Sequence, residues 1–421
     1  MADAKIRRRL HSELEVMVDP PIGSRRSKRK PRATYCSGHR AFRLPLVECH
    51  RVTVALRPQS TKTAAVSSMQ ARSIGRLWYV LLVLVGAAGI AYPGVAGGGA
   101  DAGAPTQIKF SLDRPIDAAV APVILASTRG LFRAEGLSVT TIAATDAADA
   151  IARVAVGTSE LALADINALI RFRDQPGVPP VKAVFVLFDK AAYAFIARKS
   201  RGINKLADIE GKTVGVTDGD PSIRLWPALA RRNGLQLKTV KLQQIGPAVR
   251  EPMLSAGQLD AISGLSYLSA IDLRNRGIPA DDIAVLRFAD YGCAAYGKAL
   301  IVNPEFAADK PEAVKGFVRA VIAGLRLTIR EPAQAVDDVL TRINGGSRAV
   351  ELERLHAVLS DNILTSEVRH SGIGGIDPVR FETLIDQIAE GFKFRNRPAP
   401  QDIFDNSFLP PASDRKITQT E

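Results

Sequence analysis

The sequence predicts an α/β protein in which two similar units with mainly parallel strands are followed by a helical C-terminal part. Three observations support this prediction. Strand-like and helix-like segments alternate from Gln107 onward, a rhythm typical of parallel sheets covered by helices. After Asn303 the apolar residues follow helical spacing only. Ahead of both parts, an apolar run at 77–91 separates a basic N-terminal stretch from the rest of the chain.

The apolar run at 77–91 has the composition of a secretory signal. Arg72 and Arg76 precede it, and small residues follow it at 94–104. A basic flank, a short apolar stretch and a small-residue cleavage zone define such signals, whereas a membrane-spanning helix needs about 20 residues. We therefore predict a signal peptide over 69–102 and, before it, a basic disordered leader over 1–68 that precedes the true start. A cytoplasmic tail followed by a short membrane anchor is the alternative.

The net charge of +13 comes almost entirely from the N-terminal stretch. Residues 1–76 carry 17 Lys and Arg against 5 Asp and Glu, and the rest of the chain carries 39 against 38. The body is therefore nearly neutral, and its composition does not indicate a nucleic-acid partner. Of the three cysteines only Cys293 lies in the body, so we expect stability to come from a large hydrophobic core rather than from disulfides. No lipid-attachment cysteine follows the signal, which favours a freely diffusing periplasmic protein.

The first α/β unit follows the apolar run. Helix candidates begin at Pro122, which suits a first helical turn, and end before Gly157, which suits the position after a helix. The predicted strands are 108–112, 160–165 and 181–188, and the predicted helices are 122–132 and 146–156.

The second unit repeats this pattern from Phe195 onward, and its helices end regularly at a glycine. Its predicted strands are 211–216, 237–244, 259–263 and 283–288, and its predicted helices are 221–233, 249–256 and 268–276. The C-terminal part is predicted to be helical over 311–330, 334–344, 349–360 and 378–392, with an extended tail over 398–411.

The chain has few residues of the types that catalyse reactions. No histidine lies between Gln107 and Asn303, which excludes a catalytic triad or a cysteine–histidine pair in the α/β part. Nucleotide-binding glycine motifs, nucleophile elbows and zinc-binding helices are also absent from the sequence. We therefore expect neither a catalytic site nor a metal or other cofactor.

Polar residues stand where predicted strands end, which is where open α/β sheets bind ligands. At one junction, Asp220 or Ser222 can cap the following helix, whose free N–H groups would suit an anionic group. The alternative is that Asp220 caps only its own helix. The five junctions are 113–117, 165–167, 217–222, 263–267 and 290–296.

Six motifs occur in an order that resembles the nitrate/sulfonate/taurine-type solute-binding proteins of ABC importers, a group that includes binders of thiamine pyrimidine precursors. The first two combine a helix with GLF at 130–132 and EGLSV at 135–139. The others are VGTSELALAD at 156–165, LADIEGKTVGV at 206–216, LSAGQLDAI at 254–262, and DYG with YG at 290–297. Together these motifs span almost the whole body.

This resemblance implies a type II-like periplasmic binding protein, a two-lobe (Venus flytrap) fold that closes on one ligand. Lobe 1 would comprise 105–194 and 299–421, with the helical extension on it, and lobe 2 would comprise 195–298. Such proteins act as monomers, deliver a small molecule to the transmembrane permease of an ABC importer, and perform no chemistry. A hinge motion closes them on the ligand.

The resemblance also places candidate ligand-binding residues at the junctions. Asp113 and Arg114 stand where pyrimidine-precursor binders commonly have an aromatic residue, although a guanidinium plane can also stack on a flat ligand. The acidic residues favour amino or amidine donors, and Arg114 favours an anionic group, so a sulfonate, an amino-pyrimidine, or a related zwitterion or heterocycle is expected. The candidates are Asp113, Arg114, Asp117, Asp165, Asn167, Asp218, Ser222, Ser266 and Tyr291.

Two other functions compete with solute transport. Some relatives of this fold synthesise the thiamine pyrimidine and depend on a pocket histidine, which the α/β part of this chain lacks. A membrane-anchored ligand-sensing module is the other alternative, in which 77–91 would remain as an anchor.

Overall fold

The computed structural model describes residues 104–417; the predicted leader and signal peptide lie outside the described residues. Two five-stranded sheets form the α/β part, which confirms the predicted fold class. The first sheet has the order β2-β1-β3-β10-β4 and the second the order β7-β6-β8-β5-β9. The strands are β1 Thr106–Leu112, β2 Leu137–Ala143, β3 Leu161–Asp165, β4 Lys182–Val186, β5 Tyr193–Arg198, β6 Thr213–Val216, β7 Lys241–Gln244, β8 Ala261–Leu265, β9 Ile283–Arg287 and β10 Lys298–Val302.

Each sheet contains one reversed strand. β10 is antiparallel to β3 and β4, and β5 is antiparallel to β8 and β9, while β1–β2, β1–β3, β6–β7 and β6–β8 are parallel pairs. The reversed strand is in each case the one by which the chain arrives from the other sheet. The predicted parallel direction therefore holds for four strands of each sheet, and the two crossings account for the exceptions.

Helices cover the sheets between the strands. The helix predicted over 122–132 is divided in two at Gly130, which adopts a φ of 71° that favours glycine. Part of the strand predicted over 237–244 is a short 3₁₀ turn, and pairing begins only at Lys241. The helices are α1 Ala121–Thr128, α2 Leu131–Ala134, α3 Ala147–Ala155, α4 Ile166–Arg173, α5 Pro221–Arg232, α6 Arg250–Ser255 and α7 Ser266–Asn275.

The C-terminal part is helical, as predicted, and contacts elements of both sheets. α9 packs on α1, whereas α11 contacts α7 and α13 packs along α5. The tail predicted to be extended contains a further helical turn, α14, which packs beside β4. The helices are α8 Pro304–Asp309, α9 Pro311–Arg330, α10 Pro332–Leu340, α11 Arg348–Val358, α12 Ser366–Ser371, α13 Pro378–Gly391 and α14 Pro400–Ile403.

Residues of both sheets share one apolar cluster, and two further clusters lie mainly on the first and on the second sheet, respectively. Phe110 of β1 packs on Phe317 of α9, with ring centroids 5.0 Å apart. In the second sheet, Phe195 of β5 contacts Trp226 and Phe288 at centroid distances of 5.0 and 4.9 Å. Over residues 104–417, no helix has the length and apolar character that crossing a membrane would require.

Candidate functional site

A cavity of ≈ 230 Å³ lies between the carboxyl ends of the two sheets. Residues that follow β1 and β3 form its wall on the first sheet, and residues that follow β6 and β8 form its wall on the second. The two segments that join the sheets, together with the first residues of β5 and β10, contribute most of the others, and Ala147 and Arg250 begin helices beside the cavity. Its lining consists of Asp113, Arg114, Ala147, Asp165, Phe188, Ala192, Tyr193, Thr217, Asp220, Pro221, Arg250, Gly264, Leu265, Tyr267, Gly297 and Lys298.

An ion pair forms part of the wall on the first sheet. Lys298, the first residue of β10, donates from Nζ to Oδ1 of Asp113, which directly follows β1. The two side chains are only 8% and 10% exposed, respectively. Because desolvated charges require a partner, this pair fixes the position of both side chains at the floor of the cavity.

Arg114 extends from the same junction toward the second sheet. It donates from Nη1 to the hydroxyl of Tyr267 at 3.2 Å and pairs through Nη2 with Asp117 at 3.4 Å. Burial lowers the pKa of Arg114, but the neighbouring acidic groups outweigh this effect and raise it above its usual value. Its buried Nε has no hydrogen-bond partner within 104–417, so this corner of the cavity offers an unused donor.

Asp165 stands at the end of β3 as an acceptor held by three donor groups. Its Oδ1 accepts from the backbone N–H of Asn167 at 2.8 Å and from Asn167 Nδ2 at 2.9 Å. Its Oδ2 accepts a short hydrogen bond from the Tyr193 hydroxyl. Burial raises the pKa of Asp165, although these hydrogen bonds oppose that shift. No Lys or Arg within the described part of the chain pairs with this carboxyl group.

Asp220 occupies the corresponding position on the second sheet, at the start of α5. Its Oδ1 accepts from the backbone N–H and hydroxyl of Ser222 at 2.9 and 2.6 Å, and its Oδ2 accepts from Ser263 Oγ at 2.5 Å. The carboxylate thus caps its own helix. Of the two interpretations of this junction, the structure shows the one in which Asp220 caps its own helix.

The predicted site residues fall into four groups. Asp113, Arg114 and Asp165 line the cavity. Behind this lining, Asp117 supports Arg114, and Asn167 supports Asp165. Ser222 and Ser266 are buried next to the lining, and Ser222 acts on Asp220 rather than on the cavity.

Asp218 and Tyr291 lie away from the cavity lining. Asp218 is exposed and accepts from the backbone N–H of Gly219, one residue along the same turn. The hydroxyl of Tyr291 accepts from the backbone N–H of Leu206 at 3.3 Å. Tyr291 follows β9, an edge strand that β8 and β5 separate from β6. Its place in the DYG motif therefore does not bring it to the cavity.

The lining also includes residues that were not among the predicted candidates, among them Tyr193, Asp220, Tyr267 and Lys298. Tyr193 and Lys298 begin the two reversed strands, so only the sheet pairing reveals their position. The sequence indicates only a helix-capping role for Asp220. Lys298 directly follows the YG motif at 296–297, but that position alone does not show that β10 is reversed.

Within residues 104–417, no histidine lines the cavity. His356 and His370 are exposed on α11 and α12, outside the lining. Among residues 104–417, no group of three His, Cys, Asp or Glu side chains is arranged to hold a metal ion.

Curated relatives include both enzymes and a binding protein. Over 227 residues the chain is 26% identical to the 4-amino-5-hydroxymethyl-2-methylpyrimidine phosphate synthase of Schizosaccharomyces pombe, a match that covers 52% of this chain and 64% of that protein. It is 29% identical over 222 residues to the riboflavin-binding protein RibY of Chloroflexus aurantiacus, covering 52% of this chain and 61% of RibY. The chain therefore spans less than two thirds of the length of these relatives.

Solved structures show the same fold at low sequence identity. The alkanesulfonate-binding protein SsuA of Xanthomonas axonopodis pv. citri, bound to MOPS, superposes with a TM-score of 0.55 at 17% identity, over 72% of this chain and 98% of SsuA. The periplasmic aliphatic sulphonate-binding protein SsuA of Escherichia coli gives a TM-score of 0.55 at 15% identity, over 75% and 92%. The structure therefore has the periplasmic binding protein fold.

The sequence profile of one family matches more than half of the chain. This family, described as NMT1/THI5 like, matches residues 117–335, which include most of the cavity lining and all of the second sheet. This match and the solved structures confirm the resemblance inferred from the six motifs. The chain belongs to the NMT1/THI5-like family.

Proposed function

We propose that this protein captures a small organic solute in the cavity between the two sheets and delivers it to the transmembrane permease of an ABC importer. The observation that carries the proposal is the cavity itself, since side chains from the carboxyl ends of both sheets converge on it. A ligand bound there touches both lobes, and contacts with both lobes are what a ligand needs in order to favour a closed state.

The charges of the cavity favour a solute with both donors and acceptors. Asp165 and Asp220 lie on different sheets, and neither pairs with a Lys or Arg within the described residues. A cationic amino or amidine group between them would supply the positive partner that both lack among the described residues. The unused Nε of Arg114 would bind an acceptor, such as a ring nitrogen or an anionic oxygen, at another edge of the ligand.

The size and surface of the cavity narrow this choice. At ≈ 230 Å³ it is smaller than the range of about 300–1,000 Å³ usual for ligand pockets, so a compact solute fits best. Phe188 and Tyr267 provide aromatic surface suited to a flat ring. An amino-pyrimidine meets these requirements, and a compact zwitterion such as an aminosulfonate meets the charge requirement alone.

The transport role defines the remaining expectations. Lobe 1 (105–194 and 299–421) and lobe 2 (195–298) would move about the segments that join the sheets. The protein would act as a monomer in the periplasm after export by the signal predicted over 69–102. The periplasmic sulfonate-binding proteins that share the fold support this assignment.

A thermal-shift screen tests the proposal. The purified protein is melted with amino-pyrimidines, aminosulfonates, alkanesulfonates and aromatic acids, and we expect a concentration-dependent rise with the amino-pyrimidines. Asp165→Asn should abolish the rise, whereas Asp337→Asn, at an exposed ion pair with Arg348, should leave it intact. If no compound of any class raises the melting temperature, the proposal is wrong.

Pyrimidine synthesis is the second candidate, because several curated relatives carry that name. The resemblance implies that such enzymes need a histidine in the pocket, and the cavity lining has none within the described residues. Iron-dependent formation of a pyrimidine product by the purified protein would favour this candidate over transport.

A further inference from the structure

Helix α13 lies across both segments that join the two sheets. The first crossover, residues 187–192, connects β4 to β5, and the second crossover, residues 288–297, connects β9 to β10. In a two-lobe protein, hinge motion is absorbed by a few residues of such connections. A side chain bonded to both connections therefore limits how the lobes move.

Arg380, in the first turn of α13, makes such contacts with both crossovers. On the first crossover, its Nη1 donates to Asp189 Oδ1 at 3.0 Å and its Nη2 to the Asp189 carbonyl oxygen at 2.6 Å. On the second, its Nε donates to the Ala294 carbonyl at 3.0 Å and its Nη2 to that of Ala295 at 3.3 Å. The guanidinium also lies 3.9 Å from the ring centroid of Tyr296, a cation–π distance.

These contacts are desolvated and rigid. The Asp189 side chain is 6% exposed and that of Arg380 is 18% exposed, and Glu367 accepts a further bond from Arg380 Nη1 at 2.7 Å. Hydrogen bonds from a charged guanidinium are about twice as strong as neutral ones, and its planar fork fixes their directions. The two crossovers therefore cannot separate near Arg380 without breaking several charge-assisted hydrogen bonds.

A second side chain of α13 extends the contact along the second crossover. Gln387 accepts from the backbone N–H of Ala294 at 2.8 Å through Oε1 and donates to the carbonyl of Gly292 at 2.9 Å through Nε2. Gln387 is buried, so its amide serves these two backbone groups and not the solvent.

The far end of α13 rests on a helix of the second sheet. A Cβ atom at Gly391 would lie 2.2 Å from the carbonyl oxygen of Arg224 in α5, so the two backbones touch at that point. Glu390 pairs with Arg231 of α5 at the same end. One helix thus binds both crossovers at its beginning and the second lobe at its end.

We propose that α13 is a splint that sets the angle between the two lobes, with Arg380 as the positioning residue that joins the crossovers. The splint holds the cavity walls at a defined separation in the absence of ligand. This inference requires only the two-lobe fold and holds for any solute.

The distance between the lobes tests the proposal. Spin labels are placed in the full chain at Asp309→Cys beside the first sheet and Lys238→Cys beside the second, both exposed positions. The native cysteines are first replaced as Cys36→Ser, Cys49→Ser and Cys293→Ala. Pulsed electron–electron double resonance on the ligand-free protein then gives the distribution of interlobe distances, which a purely local loss of stability does not change.

We expect Arg380→Lys, which keeps the charge but loses the fork, to broaden the distribution and shift it to longer distances. Gln387→Ala should broaden it less, since it loses only the second crossover. Arg397→Gln is the matched control, because Arg397 pairs with Asp386 and Glu382 on the outer side of α13. Should Arg380→Lys and Gln387→Ala both give the distribution of the control, α13 is not a splint. Gln387→Ala decides the question if the Arg380 variant fails to fold.

Discussion

Replacement of Lys298 by methionine tests the buried ion pair at the floor of the cavity. Lys298→Met keeps the length of the side chain but leaves the Asp113 carboxylate, 10% exposed, without its cation. Loss of one partner from a buried pair costs about 3–5 kcal/mol. We therefore expect a loss of about 3–5 kcal/mol in the free energy of unfolding.

Urea unfolding followed by far-UV circular dichroism measures this loss. The double variant Asp113→Asn with Lys298→Met should recover most of the stability, because no unpaired charge then remains. A loss below about 1 kcal/mol at pH 7, a value typical of exposed pairs, would refute the reasoning.

Three further outcomes follow from other sites. Gly324→Ala should lower the melting temperature. Alanine favours a helix over glycine by about 1 kcal/mol, but the new Cβ would lie 2.1 Å from the Pro122 carbonyl oxygen. Such overpacking costs about 1–3 kcal/mol, and it also forces the two helix backbones apart. Burial raises the pKa of Asp165, so the folded state holds the proton of this carboxyl group more tightly, and stability is lost as the pH rises through the raised pKa. In melting experiments, Asp165→Asn should therefore gain stability relative to the parent protein between pH 4 and pH 7. An equal difference in melting temperature between the two proteins at both pH values would contradict this. Burial raises the pKa of Cys293 to about 11, so peptide mapping after alkylation at pH 8 should show it reacting about 100-fold more slowly than an ordinary thiol.

The order of the elements was largely predictable because it depends on local patterns. Alternation of apolar residues identified strands such as β1, and helical spacing bounded by glycine identified helices such as α3. Failures occurred where local signals compete. Gly130 interrupts an otherwise continuous helical pattern, and β5 and β10, buried on both faces, have no alternation that would reveal their reversed direction.

The site was predictable only in part. Asp113 and Arg114 follow β1 and Asp165 ends β3, and the carboxyl ends of neighbouring parallel strands meet at one edge. Tyr193 and Lys298 could not be assigned in this way, because they begin strands that run in the opposite direction. Their place in the cavity depends on pairing across the sheet, which no local pattern encodes.

The sequence by itself determined the α/β class, the family and three lining residues on the first sheet (Asp113, Arg114 and Asp165), because periodicity and motif order are properties of neighbouring residues. Tertiary structure alone decided three further features. It joined Asp113 to Lys298 across 185 positions, and it placed the hydroxyl of Ser263 against Asp220 across 43 positions. It also brought Arg380 onto both crossovers. Each of these depends on contacts between distant segments, which form only when burial of the common core brings those segments together.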